Sequence, residues 1–289
     1  MSMTKNGFIL AGVDGSELGD AVIDYAIWLS KKGPTPLKLL HTIEHSHHSE
    51  QVHHEGNLTP NSKEHLLDEL SDEERTKSKQ LIADGKHIIS EAKQKAEEAG
   101  VVDLIAKQRH GTLPEALIDL QSQVAMIVIG SKGQDHSGDA KGLGTHLEDA
   151  IRVVSKPILI VKSSFTEPKK LMFAYNGSPT SLNALQLLKQ EALFHQGLEI
   201  HVVSISKDLH EAMHLIEDAE AVLKEANIDV VGQAFSGDPL SLLTQYQQAN
   251  QIDITMMGAF SHGKLHGFIF GSFTTRMLLE SETQFLLVR

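Results

Sequence analysis

The chain has no cysteine among its 289 residues, which excludes a disulfide framework, a thiolate zinc site and a thiol nucleophile. It also lacks a long hydrophobic run: no segment approaches the roughly 18 uninterrupted apolar residues of a membrane span. Its N-terminus reaches an apolar stretch at Phe8 without the basic prelude of a leader. A cytoplasmic protein with no membrane partner is expected. Positive charge is scarce too, with 26 Lys and Arg against 38 Asp and Glu, a net charge of -12. The acidic excess is shared equally by residues 1–165 and 166–289, and no basic stripe emerges. Nucleic acid is therefore not an expected partner, since its affinity rests on clustered neutralisation of phosphates. Three motifs are missing as well: the phosphate loop Gly-x4-Gly-Lys-Ser/Thr, the dinucleotide fingerprint Gly-x-Gly-x-x-Gly, and the nucleophile elbow Gly-x-Ser-x-Gly.

What the chain does contain is a repeat of itself. Ile127 to Gly130 with Ser131, Lys132 and Gly133, followed by Gly144 and Thr145, returns as Thr255 to Gly258 with Ala259, Phe260 and Ser261, followed by Gly271 and Ser272. Val13 Asp14 Gly15 Ser16 returns as Tyr175 Asn176 Gly177 Ser178, His110 Gly111 Thr112 Leu113 as Ser236 Gly237 Asp238 Pro239, and Ile158 to Val161 as Phe285 to Val288. Two copies of one domain follow, spanning residues 1–163 and 169–289, with Ser163 to Lys169 and its Pro168 as the linker. The first copy is longer by roughly 35 residues between its start and its middle. That insertion lies near 43–81. A content of 40% hydrophobic residues suits two globular units, each large enough for its own core.

Within each copy, short apolar runs alternate with helical periodicity. Gly7 to Val13, Leu37 to Ile43, Val101 to Ala106, Val124 to Ile129 and Pro157 to Val161 read as strands. Leu18, Val22, Tyr25, Ala26 and Leu29 mark a first helix, and a long amphipathic helix is predicted from Asp72 to Ala99, with Gly100 as its stop. Shorter helices are predicted at Leu113 to Gln121 and Thr145 to Val154. The second copy repeats the order, with strands near Leu171 to Tyr175, Glu199 to Ile205, Ile228 to Phe235, Ile252 to Met257 and Phe285 to Val288. Alternating strands and helices imply right-handed crossovers and a parallel sheet covered on both faces. The last strands, Pro157 to Val161 and Phe285 to Val288, are apolar edges that pairing of the two copies into an intramolecular pseudo-dimer would cover. Homodimerisation remains open.

In such a sheet, ligands sit beyond the carboxyl ends of the strands. A glycine-bracketed loop there lets backbone amides approach a phosphate, and the helix that follows adds the partial charge of its N-terminus. Thr145 and Ser272 are placed to cap that helix or to donate a hydroxyl to a phosphate oxygen. The other reading of the glycines is that they supply left-handed turns at a tight strand-to-helix corner. Asp14 suits a ribose or an adenine edge, or else an Asx turn or helix cap.

The pattern Gly-x2-Gly-x9-Gly-Ser/Thr after a hydrophobic strand, with Asp after the first strand, resembles the universal stress protein family, and two copies resemble its tandem members. The resemblance covers nearly the whole chain apart from the insertion and the linker. It implies two tandem copies of a five-stranded parallel open α/β sheet, strand order 3-2-1-4-5, with helices on both faces. It also implies binding of ATP or AMP in some members, and pairing of domains through their last strands. For the first copy it implies Asp14 near the adenine, Thr42 at the end of the second strand, Gly130 and Gly133 in the loop, and Gly144 with Thr145 at the phosphates. Ten residues rather than nine separate Gly133 from Gly144. For the second copy it implies Asn176, Gly258, Ser261, Gly271 and Ser272, with Asn in place of Asp and Ser261 in place of Gly. The first copy keeps the more intact motif, although Asp135 and Asp139 in its loop disfavour phosphate unless they hold a metal such as Mg²⁺; Lys132 and Lys141 offset them. His262, Lys264 and His266 suit the second loop to phosphate.

Seven histidines fall in or near the insertion: His41, His45, His47, His48, His53, His54 and His65. Imidazoles at such density, above all His45, His47, His48, His53 and His54, could hold Zn²⁺, Ni²⁺ or Cu²⁺, with Glu44, Glu50 or Glu55 adding oxygen ligands. A solvated polar loop is the alternative, and pH sensing a third reading. Function therefore reads as a nucleotide-binding stress or regulatory protein with unidentified protein partners. An interaction module independent of nucleotide and a slow Mg²⁺-dependent ATPase using Asp135 or Asp139 are the competing classes.

Overall fold

The computed structural model describes residues 7–33, 35–44, 60–133, 145–259 and 272–289, with backbone alone at 60–74, 145–146 and 272. In the first half these form β1 (Phe8–Gly12), α1 (Glu17–Lys31), β2 (Leu37–Ile43), α2 (Pro60–Glu98), β3 (Leu104–His110), α3 (Leu113–Leu120), β4 (Val124–Gly130), α4 (Thr145–Val153) and β5 (Ile158–Val161). The second half adds β6 (Lys170–Ala174), α5 (Pro179–Gln190), β7 (Glu199–Ser206), α6 (Leu209–Lys224), β8 (Val230–Ser236), α7 (Pro239–Asn250), β9 (Ile254–Gly258), α8 (Ser272–Glu280) and β10 (Gln284–Val288).

All ten strands join one sheet in the order β3-β2-β1-β4-β5-β10-β9-β6-β7-β8. Each half follows the order 3-2-1-4-5, with every pair inside a half parallel. The halves meet where β5 and β10 run antiparallel, Leu159 opposite Leu286 and Ile160 opposite Phe285. Because alternate residues of a strand face opposite ways, the buried side chains divide into two cores. Ile9, Ala11 and Val13 lie under α1 and α2 in a core that continues to Leu171, Phe173 and Leu185. Phe8, Leu10 and Leu40 lie under α3 and α4 in a core that continues to Phe285, Met277 and Leu240. Each core thus crosses the seam between the halves.

Local chemistry explains the elements. Ser16 caps α1 by accepting from Gly19 N at 3.0 Å, and Glu17 and Asp20 occupy its first turn. Thr112 and Glu115 form a reciprocal capping box at the start of α3. The repeat is also written in backbone conformation: Gly15 (φ 76°) and Gly177 (φ 69°) hold matched left-handed positions, as do Gly111 (φ 106°) and Gly237 (φ 147°).

Two boundaries differ from expectation. Helix α2 starts at Pro60 rather than near Asp72, so part of the insertion is helical; proline is tolerated in a first turn, where its missing N–H has no partner to lose. Strand β3 starts at Leu104 rather than Val101 and runs on through the polar residues Lys107 to His110. An edge strand covered on one face alternates in exposure, and β8 at the other edge behaves alike.

The seam carries matched cations. Lys162, just past β5, donates through Nζ to the Leu278 carbonyl at 2.5 Å and to the Ser281 carbonyl, at the end of α8. Arg289, its counterpart past β10, donates to the Arg152 carbonyl near the end of α4 at 3.2 Å. Each half thereby holds the carboxyl end of the other half's helix, where a cation is favoured by the helix dipole.

Candidate functional site

The strand order reverses between β1 and β4, since β1 leads to β2 on one side while the chain returns to β4 on the other. Both ends of that crevice carry residues singled out by the sequence. At the end of β1, Asp14 Oδ1 accepts from Ser16 N at 3.0 Å and from Ser16 Oγ at 2.6 Å. The turn role read for Asp14 is thus realised. Its other oxygen is directed across the crevice: a Cβ on Gly133 would lie 3.3 Å from Asp14 Oδ2. The structure therefore brings Asp14 and Gly133 together.

The glycines of this loop are small for reasons of space. Gly130, Gly133 and Gly258 all lie outside the left-handed region, unlike the turn glycines Gly15 and Gly177. A Cβ on Gly130 would meet the Lys132 carbonyl at 3.1 Å and Leu18 Cβ at 3.4 Å. Gly19 is equally constrained, since a Cβ there would lie 2.7 Å from Asp14 Oδ1. For Gly130, Gly133 and Gly258 the reading as left-handed corners is replaced by close approach of neighbouring atoms.

Thr42 lies in β2 with the parity of Leu40, on the face covered by α3 and α4. Its neighbour His41 faces the other way, its Nδ1 2.7 Å from the Val13 carbonyl just before Asp14. Helix α2 presses down on that imidazole at Gly85, where a Cβ would lie 2.8 Å from His41 Nε2. Grouping His41 with the histidine-rich stretch misses this supporting position; the lone glycine inside a helix pattern is the signal that marks it. Gly130 pairs with Val161, which sets Lys162 beside the start of the loop. Burial pulls the Lys162 ammonium down to about 8, Glu282 opposes that shift, and repulsion from Lys132 of the loop adds to it.

The second half repeats the arrangement with tighter packing. Asn176 Oδ1 accepts from Ser178 N at 3.2 Å, and Ser178 Oγ caps α5 by accepting from Ser181 N at 3.3 Å. A Cβ on Gly258 would lie 2.5 Å from Ser181 N and 2.6 Å from the Thr180 carbonyl carbon, so the first turn of α5 sits against the end of β9. Thr145 and Ser272 are the first residues of α4 and α8. Gly144, Ser261 and Gly271 lie outside the described residues, as do His45, His47, His48, His53 and His54. Among the described residues, no three His, Cys, Asp or Glu side chains are grouped to hold a metal ion, and no helix is long and apolar enough to cross a membrane.

The model of the universal stress protein family matches residues 6–162 and again 167–289. The chain belongs to the universal stress protein family. Its likeness to the universal stress protein Slr1230 of Synechocystis is 29% identity over 285 residues, covering 97% of this chain and 99% of that protein. The fold matches a universal stress protein of Archaeoglobus fulgidus with a TM-score of 0.72 at 21% identity, 99% of each chain being covered. It also matches a Pseudomonas aeruginosa protein of unknown function with a TM-score of 0.61 at 15% identity, covering 99% of this chain and 93% of that one. The family match of this chain thus covers both halves rather than one.

Proposed function

We propose that this universal stress protein binds an adenine nucleotide, ATP or AMP, in the crevice between Asp14 and the Gly130–Gly133 loop, and that occupancy regulates its association with other proteins. The observation that carries the reading is the approach of Gly133 to Asp14 Oδ2 across the strand-order reversal, the position where open parallel sheets take ligands. One side of that crevice presents a carboxylate suited to ribose or adenine. The other presents Gly130 and Gly133, which have no Cβ to keep a ligand from the backbone amides, ahead of α4 in the chain. Lys132 supplies positive charge within that loop.

The first half is the tighter site in this reading. Losing the charge-assisted bond of Asp14 at Asn176 weakens the second site by about 1.5–3 kcal/mol, roughly tenfold to a hundredfold in affinity. The test is to purify the chain without added nucleotide, denature it, and identify the released small molecules by mass spectrometry. ATP or AMP carried by the unaltered chain and absent from Asp14→Ala supports the proposal. A chain that releases no nucleotide and shows no thermal stabilisation by added ATP contradicts it, because a ligand specific for the native state must stabilise that state.

A further inference from the structure

The second half departs from the first at positions the nucleotide site does not use. Where the first half has Ile127, Val154 and Pro157, the matched residues of the second half are Thr255, Ser281 and Gln284. The register supports the matching, since Ile127 faces Ile158 in β4 and β5 while Thr255 faces Phe285 in β9 and β10. All three polar replacements are buried. Thr255 and Ser281 belong to a closed network: Gln247 Nε2 donates to Thr255 Oγ1 at 2.8 Å, Ser281 Oγ donates to Gln247 Oε1 at 2.7 Å, and the Thr283 hydroxyl lies 2.8 Å from that of Thr255 and 3.2 Å from that of Ser281. Gln284 instead accepts from Lys162 N at 2.6 Å and donates to Ser163 Oγ at 2.8 Å. Burying such groups costs free energy that the apolar residues of the first half do not incur.

A cleft of about 330 Å³ opens onto this network, within the ordinary range for small-ligand sites. Its opposite wall comes from the other half and the connecting segment: Tyr25 of α1, with Ser163, Ser164 and Thr166. Neither Asp14 nor the Gly130–Gly133 loop lines it, so the inference is independent of the nucleotide reading. Hydroxyls and carboxamides dominate the lining, offering donors and acceptors together, and among the described residues no lysine or arginine side chain contributes. An anion would meet Asp253, Glu280 and Glu282 without a lining cation to receive it. Two of the carboxylates already have partners: Asp253 Oδ2 accepts from the backbone N–H groups of Lys169 and Lys170 at 2.8 and 2.9 Å, and Glu280 lies 3.5 Å from Arg276 Nε. Tyr25 contributes a hydroxyl that reaches the Thr166 carbonyl at 3.5 Å and also meets the Gln284 side chain, so it ties the two walls of the cleft together.

We propose that this cleft binds an uncharged polyhydroxylated small molecule of the size of a monosaccharide or cyclic polyol. Glucose and myo-inositol are the probes, each titrated into the full chain while the amide resonances of Gln247, Thr283 and Gln284 are followed by NMR; spermidine and inorganic phosphate are titrated in parallel. The expected result is a saturable shift with glucose or inositol, confined to the lining, and weakened several-fold in Tyr25→Phe, which removes one hydroxyl and keeps the ring. Thr255→Ile, which installs the residue of the first half, should abolish the shift; if that variant fails to fold, Tyr25→Phe and the exposed-wall variant Ser164→Ala carry the test. No saturable shift with either polyol, saturation by spermidine or phosphate alone, or shifts unaltered in Tyr25→Phe and Ser164→Ala would overturn the proposal.

Discussion

Gly258 and Gly130 hold matched places at the ends of β9 and β4, yet alanine should affect them very differently. A Cβ on Gly258 would lie 2.5 Å from Ser181 N, 2.6 Å from the Thr180 carbonyl carbon and 2.9 Å from Ser181 Cα. All three atoms are backbone in the first turn of α5, which is pinned by the Ser178 cap and cannot rotate away as a side chain can. On Gly130 the nearest atoms are the Lys132 carbonyl oxygen at 3.1 Å and Leu18 Cβ at 3.4 Å, which need give only slightly. Neither glycine has a left-handed φ, so the comparison isolates steric crowding from backbone strain. Overpacking a closed site costs about 1–3 kcal/mol. Gly258→Ala should fall at the upper end, about 3 kcal/mol, and Gly130→Ala below about 1 kcal/mol. At about 2–4 °C per kcal/mol for a unit of this size, Gly258→Ala should lower the melting temperature by roughly 6–12 °C. Calorimetric melts without added nucleotide measure both. Equal losses, or a larger loss at Gly130, would refute the argument from close approach.

Lys162→Met keeps the aliphatic stem but removes the donors to the Leu278 and Ser281 carbonyls; loss of stability by about 1–3 kcal/mol is expected in urea unfolding, and an unchanged midpoint would contradict the cross-seam role. Stability should rise as pH climbs from about 8 toward 10: burial lowers the Lys162 pKa from 10.5, so the unfolded chain binds more protons across that interval. Above pH 10 the trend should reverse, because burial raises Tyr25 to about 12 and moves Tyr175 and Tyr246 upward, so the folded chain retains protons that the unfolded chain gives up. An ultraviolet titration of the native protein should accordingly show none of its three tyrosines ionising with the ordinary pKa of 10.0; a component at that value would contradict the burial described.

Much of this architecture was legible because hydrophobic runs and turn chemistry act locally. Leu37 to Ile43 reads as a strand from its apolar run and flanking prolines, and it forms β2 over the same residues. The paired Asp14 Gly15 Ser16 and Asn176 Gly177 Ser178 turns declare the repeat, and both halves place a left-handed glycine there. The edge strands were harder. Polar residues such as Gln108 and Arg109 belong to a strand only because β2 pairs with them, and their own sequence carries no apolar alternation. The reason for glycine at 130, 133 and 258 was likewise hidden, since close approach depends on where Leu18, Asp14 and α5 come to rest. Thr255 and Gln247 read as ordinary polar residues until the fold buries them against one another.

The central claim is that the first half holds the principal nucleotide site. Isothermal titration of ATP and AMP into the nucleotide-free chain, beside Asp14→Ala and Asn176→Ala, tests it most directly. The account predicts one tight nucleotide per chain, affinity reduced by roughly tenfold to a hundredfold in Asp14→Ala, and little change in Asn176→Ala. Two equally tight sites, or an affinity that follows Asn176 rather than Asp14, would contradict it.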